Sequence, residues 1–417
     1  MDLTHSVIPH IVDQHAEEAA FLWHLRSHAV HAPHYNLKDL AKLDNRVEAH
    51  IDGLRIAGDY GWQACCHNLE RKEPGEVFAA GLLALEGNDI DRINTVYQAV
   101  EETPETLTGL VSAFGWVEPK SLQGKVSGLL ISANPLWRQA GITACAIHRV
   151  DPGKYLDQAV QDDNPQLRAR ALRTAGELGR SDLKSALLEQ LNNPDIAVGF
   201  WAAWAAVLLG DRGRALTSLQ NKIIEGSDFS LKAMQLALRV LDLQQAKELL
   251  KTLVQSGDRT REAVTGAGIA GDPSYIPWLI KQMELPELAR AAGESFSFIS
   301  GADIAYEDLE GEFPEDFAAG PTENPEDEEV AMDQDDDLPC PNPTLIERWW
   351  KQHQQNFKPG VRYLSGKPVS ESQCRNLLKT GKQRQRQAAA LELALIRPEQ
   401  PLFETRAMGK RQQQWLS

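Results

Sequence analysis

The residues that could do chemistry are concentrated at one end of the chain. Nine of the eleven histidines fall within the first 67 residues. His24 and His28 stand four apart, and His31 and His34 follow closely. Two imidazoles one helical turn apart share a face and are the spacing of a transition-metal pair. A metallopeptidase helix needs Glu beside the first His, and Leu25 stands there instead. A helical metalloenzyme of the dioxygenase kind needs His-Glu dipeptides, and the chain has none. The histidines are therefore read as surface or interface residues. Five cysteines, an odd number with Cys65 and Cys66 adjacent and no CxxC, suit neither a disulfide framework nor a zinc site. Gly266, Gly268 and Gly271 match GxGxxG, but Arg261 to Val264 before them continue a helix where a dinucleotide site needs a strand. Those glycines read as helix packing and a turn. Trp201 and Trp204 lie three apart on a very apolar helix and read as core. There is no Walker A loop and no GxSxG elbow. No catalytic residue, cofactor or metal is expected, and the chain is read as a non-enzyme.

Charge points elsewhere, to binding. A basic stripe runs through Arg168, Arg170, Arg173 and Arg180, and Arg138 and Arg168 each follow an Asn-Pro proline by three residues. Between Arg290 and Arg348 there are 18 acidic residues and no Lys or Arg. That block ends in Asp335, Asp336 and Asp337 and is broken by Pro314, Pro321, Pro325 and Pro339. Residues 348–417 carry +10, and residues 1–290 carry −8 of the total of −16. Arg138, Arg168, Arg170, Arg173, Asp335, Asp336 and Asp337 are the candidate protein-binding residues. The basic run Lys379–Arg386 is the nearest large opposite charge to the acidic block, and pairing between the two would screen both.

The elements that position these residues repeat. Asn-Pro recurs at Asn134-Pro135, Asn164-Pro165 and Asn193-Pro194, steps of 30 and 29, with Pro104 another 31 before Pro135. Proline opens a helix at no hydrogen-bond cost, and Gly179, Gly210 and Gly271 sit where first helices must end. A leucine-rich second helix follows each opening. A period near 30 with two helices per unit predicts an all-α protein, an α-solenoid of helix pairs. The expected organisation is a helical N-terminal cap over 1–69, repeats over 70–300, an acidic disordered insert over 301–343 and a basic helical cap over 344–417. Asn36 is the expected N-cap of a helix with Leu37, Leu40, Leu43, Val47, Ile51 and Leu54 as its apolar stripe, ended by Gly58 and Gly61.

The NP-x-x-R-x-x-A opening, the A-x-x-L-G close and the leucine-rich return, clearest over 134–210, resemble HEAT repeats of the short, lyase type. With the LxxLDxRVEAHIDGLRIAG helix at one end and the RYLSG and RQAAALELAL segments at the other, nearly the whole chain resembles a proteobacterial HEAT-like family of similar length. The resemblance implies a soluble protein without assigned activity, loosely associated with type VI secretion loci. On that reading the chain is a cytoplasmic protein-binding scaffold, an immunity or adaptor protein for a secreted effector. Its partner is then a basic toxin or effector, and neither a membrane nor nucleic acid. Two alternatives stand beside it: a HEAT-type nucleic-acid enzyme such as a DNA glycosylase, which wants a basic concave face, and a structural subunit of an assembly. The longest apolar run, Ile196 to Gly210, is too short to span a bilayer, and no secretory leader is read at the N-terminus.

Overall fold

A computed structural model describes residues 7–312, 320 and 333–417. Within these the chain is all-α, an α-solenoid of helix pairs. It divides into two compact units, Met1–Ala205 with Glu399–Ser417, and Ala206–Pro398.

The first unit opens with the helices Pro9–Ala29 and Leu37–Ala57. Asn36 caps the second as the sequence predicts, its side chain accepting from the Lys38 and Asp39 backbones. Gly58 ends that helix, but Gly61 does not. It lies inside a further helix, Asp59–Asn68, that the sequence does not announce. A Cβ on Gly61 would stand 2.2 Å from the Leu54 carbonyl oxygen, so glycine is there for close approach. The core is built on Trp23, Phe78 and Trp116, with Phe78 stacked on the first ring and edge-on to the second. The repeats start as their sequence directs. Asn134 caps Pro135–Ile147 and Asn164 caps Pro165–Leu178. The third unit slips by two residues: Asp195 accepts from Val198 N, and the helix begins at Ile196, not at Pro194. Gly179 takes the left-handed conformation at its helix end, φ 73°.

Two histidines of this unit fix the sign of its pH response. His15 and His50 face each other with their Nδ1 atoms 3.1 Å apart, so only one of those atoms can carry a proton. Burial, then the neighbouring His15, pushes His50 below its usual pKa. Burial does the same to His148, against the pull of the Phe114 carbonyl that its Nε2 meets at 2.8 Å. A histidine that resists protonation only when folded favours the folded state above its unfolded pKa of about 6.5 and loses that contribution as pH falls. The melting temperature should therefore drop as pH falls from neutral towards 5. Calorimetry on the double variant His50→Gln/His148→Gln should give a flatter profile; an equally steep one would refute the assignment.

In the second unit, Ser230–Val240, Leu243–Gln255, Thr260–Ala270 and Pro286–Ser300 continue the helix pairs. Gly210 and Gly271 both have positive φ. The glycine motif is packing: a Cβ on Gly266 would fall 2.4 Å from Leu250 Cδ2, and one on Gly268 2.8 Å from Ser295 Cα. A two-stranded hairpin, Tyr363–Leu364 with Lys367–Pro368, precedes the helices Glu371–Thr380 and Gln383–Ile396. Buried Arg239 and the neighbouring Arg362 share one carboxylate oxygen of Glu392, at 3.0 and 2.5 Å.

The flanks of the acidic block are folded, with Ile304, Leu309 and Leu338 buried and a bridge between Glu310 and Pro341. Residues 313–319 and 321–332, the middle of the insert expected to be disordered, lie outside the described residues. Asp333 pairs with Arg290 at 2.6 Å and Asp335 with Arg261 at 2.5 Å, both arginines of the preceding repeats. Of the basic run, Lys382 meets Asp303 at 3.2 Å, while Arg384 turns to Glu294.

Candidate functional site

The helix Pro165–Leu178 carries three charged residues at positions i, i+3 and i+7, which brings them to one face. Arg170 donates to Thr143 Oγ1 at 3.1 Å and to Glu177 at 2.8 Å. Arg173 donates through Nε to the other Glu177 oxygen, also at 2.8 Å. The Arg173 guanidinium lies 4.7 Å from the centre of the half-buried Trp201 ring, a cation–π contact. Trp204, one turn on, is core.

The next cation stands where a glycine would be expected. Arg149 follows the helix Pro135–Ile147 as Gly179 follows the next one, and it has the same left-handed backbone, φ 55°. A side chain in that region costs roughly 1 kcal/mol. The side chain uses its position on the C-terminal segment: Nε donates to the Leu402 carbonyl at 2.6 Å, and the terminal nitrogen pairs with Glu404 at 3.3 Å. Leu402 N returns a bond to the Glu177 carbonyl at 2.8 Å. Further along, Arg26 donates to the Arg406 carbonyl at 2.9 Å, Asp44 accepts from Gly409 N at 2.6 Å, and Arg411 reaches the Gly115 carbonyl at 2.8 Å. One return segment thus crosses several successive helices of the first unit and is held mainly through its backbone.

Four guanidiniums, Arg149, Arg170, Arg173 and Arg406, surround two carboxylates, Glu177 and Glu404. Burial opposes ionisation of both acids, but the arginines outweigh it. Arg170 and Arg173 hold Glu177 far below the usual carboxylate range, and Arg406 with Arg149 holds Glu404 at about 2. Arg406 is stabilised as a cation, first by Glu404. Arg173 is not: burial lowers it to about 10 in spite of Glu177, and Arg170 and Arg406 push the same way. Both acids stay charged at neutral pH, so the cluster carries two surplus positive charges.

The sequence-selected residues separate on this map. Arg170 and Arg173 belong to the cluster. Arg138 instead pairs at 2.7 Å with Asp162, in the turn that leads into the next repeat, and donates to the Ser132 and Ala133 carbonyls in the turn before its own helix. Arg168 is half-buried with its Nε sealed from solvent and unbonded. Arg180 pairs with Asp151, Asp157 and Asp182. Asp335 is buried against Arg261, Asp336 is exposed, and Asp337 is exposed as well. Sequence reasoning missed Glu177, Arg149, Glu404 and Arg406. The one available signal was Arg149 at a glycine position of the repeat. Among the described residues no group of three or more His, Cys, Asp or Glu side chains is placed to hold a metal ion. Nor is any described helix long and apolar enough to cross a membrane.

Residues 154–239 match HEAT repeats. The match covers both helices that flank Gly179, including Arg168, Arg170, Arg173 and Glu177, and supports a HEAT-like repeat protein. HEAT repeats are commonly protein-interaction scaffolds. No curated protein and no solved structure matches the chain.

Proposed function

We propose that the chain is a non-enzymatic protein-binding scaffold whose partner docks on the arginine-bearing face of its first unit. The observation that carries this reading is the return segment. The face already grips a non-helical stretch of polypeptide by its Leu402, Arg406 and Ala407 carbonyls and by the Glu404 carboxylate. Contacts to backbone carbonyls do not depend on side-chain identity, so a non-helical partner segment can use the same kind of donor.

The finer form of the proposal is an adaptor or immunity protein for a type VI secretion effector, motivated by the family resemblance. A chain of net charge −16 attracts a basic effector from a distance and raises the association rate. The exposed carboxylate of Asp336 is available for such steering, whereas Asp335 is engaged by Arg261. Affinity purification of the tagged full chain from its native cells, followed by mass spectrometry, should recover an effector or a secretion component. The association rate measured with that partner should fall as salt rises from low to physiological ionic strength. A rate that ignores salt removes the steering argument, and a preparation without partners removes the scaffold.

A further inference from the structure

We propose that Arg170 and Arg173, backed by the Trp201 ring, form an oxyanion-binding site that takes a carboxylate or phosphate group. The inference deepens the scaffold reading by naming what the ligand must present, and it can fail without it.

The argument begins with unused donors. Arg173 donates only through Nε; among the described residues neither of its terminal nitrogens meets an acceptor, and neither is sealed from solvent. Arg170 spends Nε on Thr143 and one terminal nitrogen on Glu177, and among the described residues the other meets no acceptor. The cluster's own two acids are already committed. Glu177 takes one arginine on each oxygen, and Glu404 is divided between Arg149 and Arg406. A cluster with two more cations than anions, whose carboxylates are buried and whose arginine side chains are between about one-tenth and two-fifths exposed, is costly to leave uncompensated. The planar guanidinium of Arg173 is held at one face by Trp201 and at one edge by Glu177, so its free edge is fixed before a ligand arrives. A fixed pair of N–H donors is the fork that binds two oxygens of one carboxylate or phosphate.

Two sources share this chemistry: an acidic or phosphorylated side chain on a partner, and free phosphate. Calorimetric titration of the full chain with inorganic phosphate, and separately with a short polyglutamate peptide, distinguishes them. Saturable binding of one or both is expected, with an affinity at least about tenfold weaker in Arg173→Gln. Lys42→Gln, which removes an exposed surface charge, should bind as the parent does. Tighter binding of the peptide assigns the site to a partner's carboxylates, and tighter binding of phosphate assigns it to a phosphoryl group. A measurement that needs no variant runs alongside. Phenylglyoxal should modify Arg173 in the unliganded chain, and the bound anion should protect it, read by peptide mapping. No binding of either probe into the tens of millimolar, or equal binding by Arg173→Gln, overturns the site. Recovery of the same partner by the parent chain and by Arg173→Gln would leave the scaffold standing and the oxyanion site refuted.

Discussion

Glu177→Gln should destabilise the first unit by about 3–5 kcal/mol, the usual cost of removing one partner from a buried ion pair. The carboxylate is 2 % exposed and accepts from Arg170 on one oxygen and Arg173 on the other. Glutamine keeps the shape but cancels the charge, and one of its two terminal atoms becomes a donor facing an arginine that can only donate. The cluster's four cations would then have Glu404 as their one remaining anion. With each kcal/mol worth roughly 2–4 °C for a unit of this size, the melting transition should fall by roughly 10 °C. Differential scanning calorimetry of the full chain reads it directly, and a shift under about 2 °C would mean that the Glu177 ion pairs do not stabilise the first unit. The oxyanion site adds a second expectation. Because a ligand that binds only the folded state stabilises it by mass action, phosphate should restore part of the loss in Glu177→Gln and act more strongly there than on the parent.

The repeat was legible because its signals are local. Asn134 and Asn164 cap within three residues, and Gly179 turns where a side chain is penalised, so each acts through its immediate neighbours. The slip at the third unit was not legible, since Asp195 and Asn193 are both good caps and only packing chooses between them. The helix Asp59–Asn68 was hidden because Gly61 has the same letter whether it stops a helix or lets one approach the Leu54 carbonyl. The site was half legible. Composition showed arginines at 168, 170 and 173, but helix geometry alone separates the face of Arg170, Arg173 and Glu177 from Arg168. Arg149 was marked only by standing at a glycine position of the repeat, and Glu404 and Arg406 come from the return segment, more than 200 residues along the chain, where no periodicity marks them as partners. Charge counting likewise gave the sign of the acidic block but not its address. Asp333 and Asp335 found Arg290 and Arg261, two arginines that a net-charge sum over residues 1–290 conceals.

The same change, glycine to alanine, should have opposite signs at two positions of the first unit. Gly109 lies in the buried helix Leu107–Trp116, where it crosses the first turn of Pro74–Gly87. A Cβ there would stand 1.9 Å from the Pro74 carbonyl oxygen and 3.1 Å from Phe78 N. Both are backbone atoms, so no side chain can rotate away and the two helices must separate. Separation opens the contacts of Phe78 and Leu110, both fully buried, and with no side chain able to yield the cost should be near the upper end of the usual overpacking range, about 3 kcal/mol. Gly128, in the short helix Lys125–Leu130, is exposed, has no atom within 4 Å of its Cβ position and is not in the left-handed region. Alanine there restricts the unfolded chain without touching the folded one, and should stabilise by about 0.5–1 kcal/mol. Chemical denaturation of Gly109→Ala and Gly128→Ala beside the parent chain compares the two directly. If both variants moved the midpoint in the same direction, helix propensity would be ruling the pair and the close crossing at Pro74 would not limit how tightly these repeats pack.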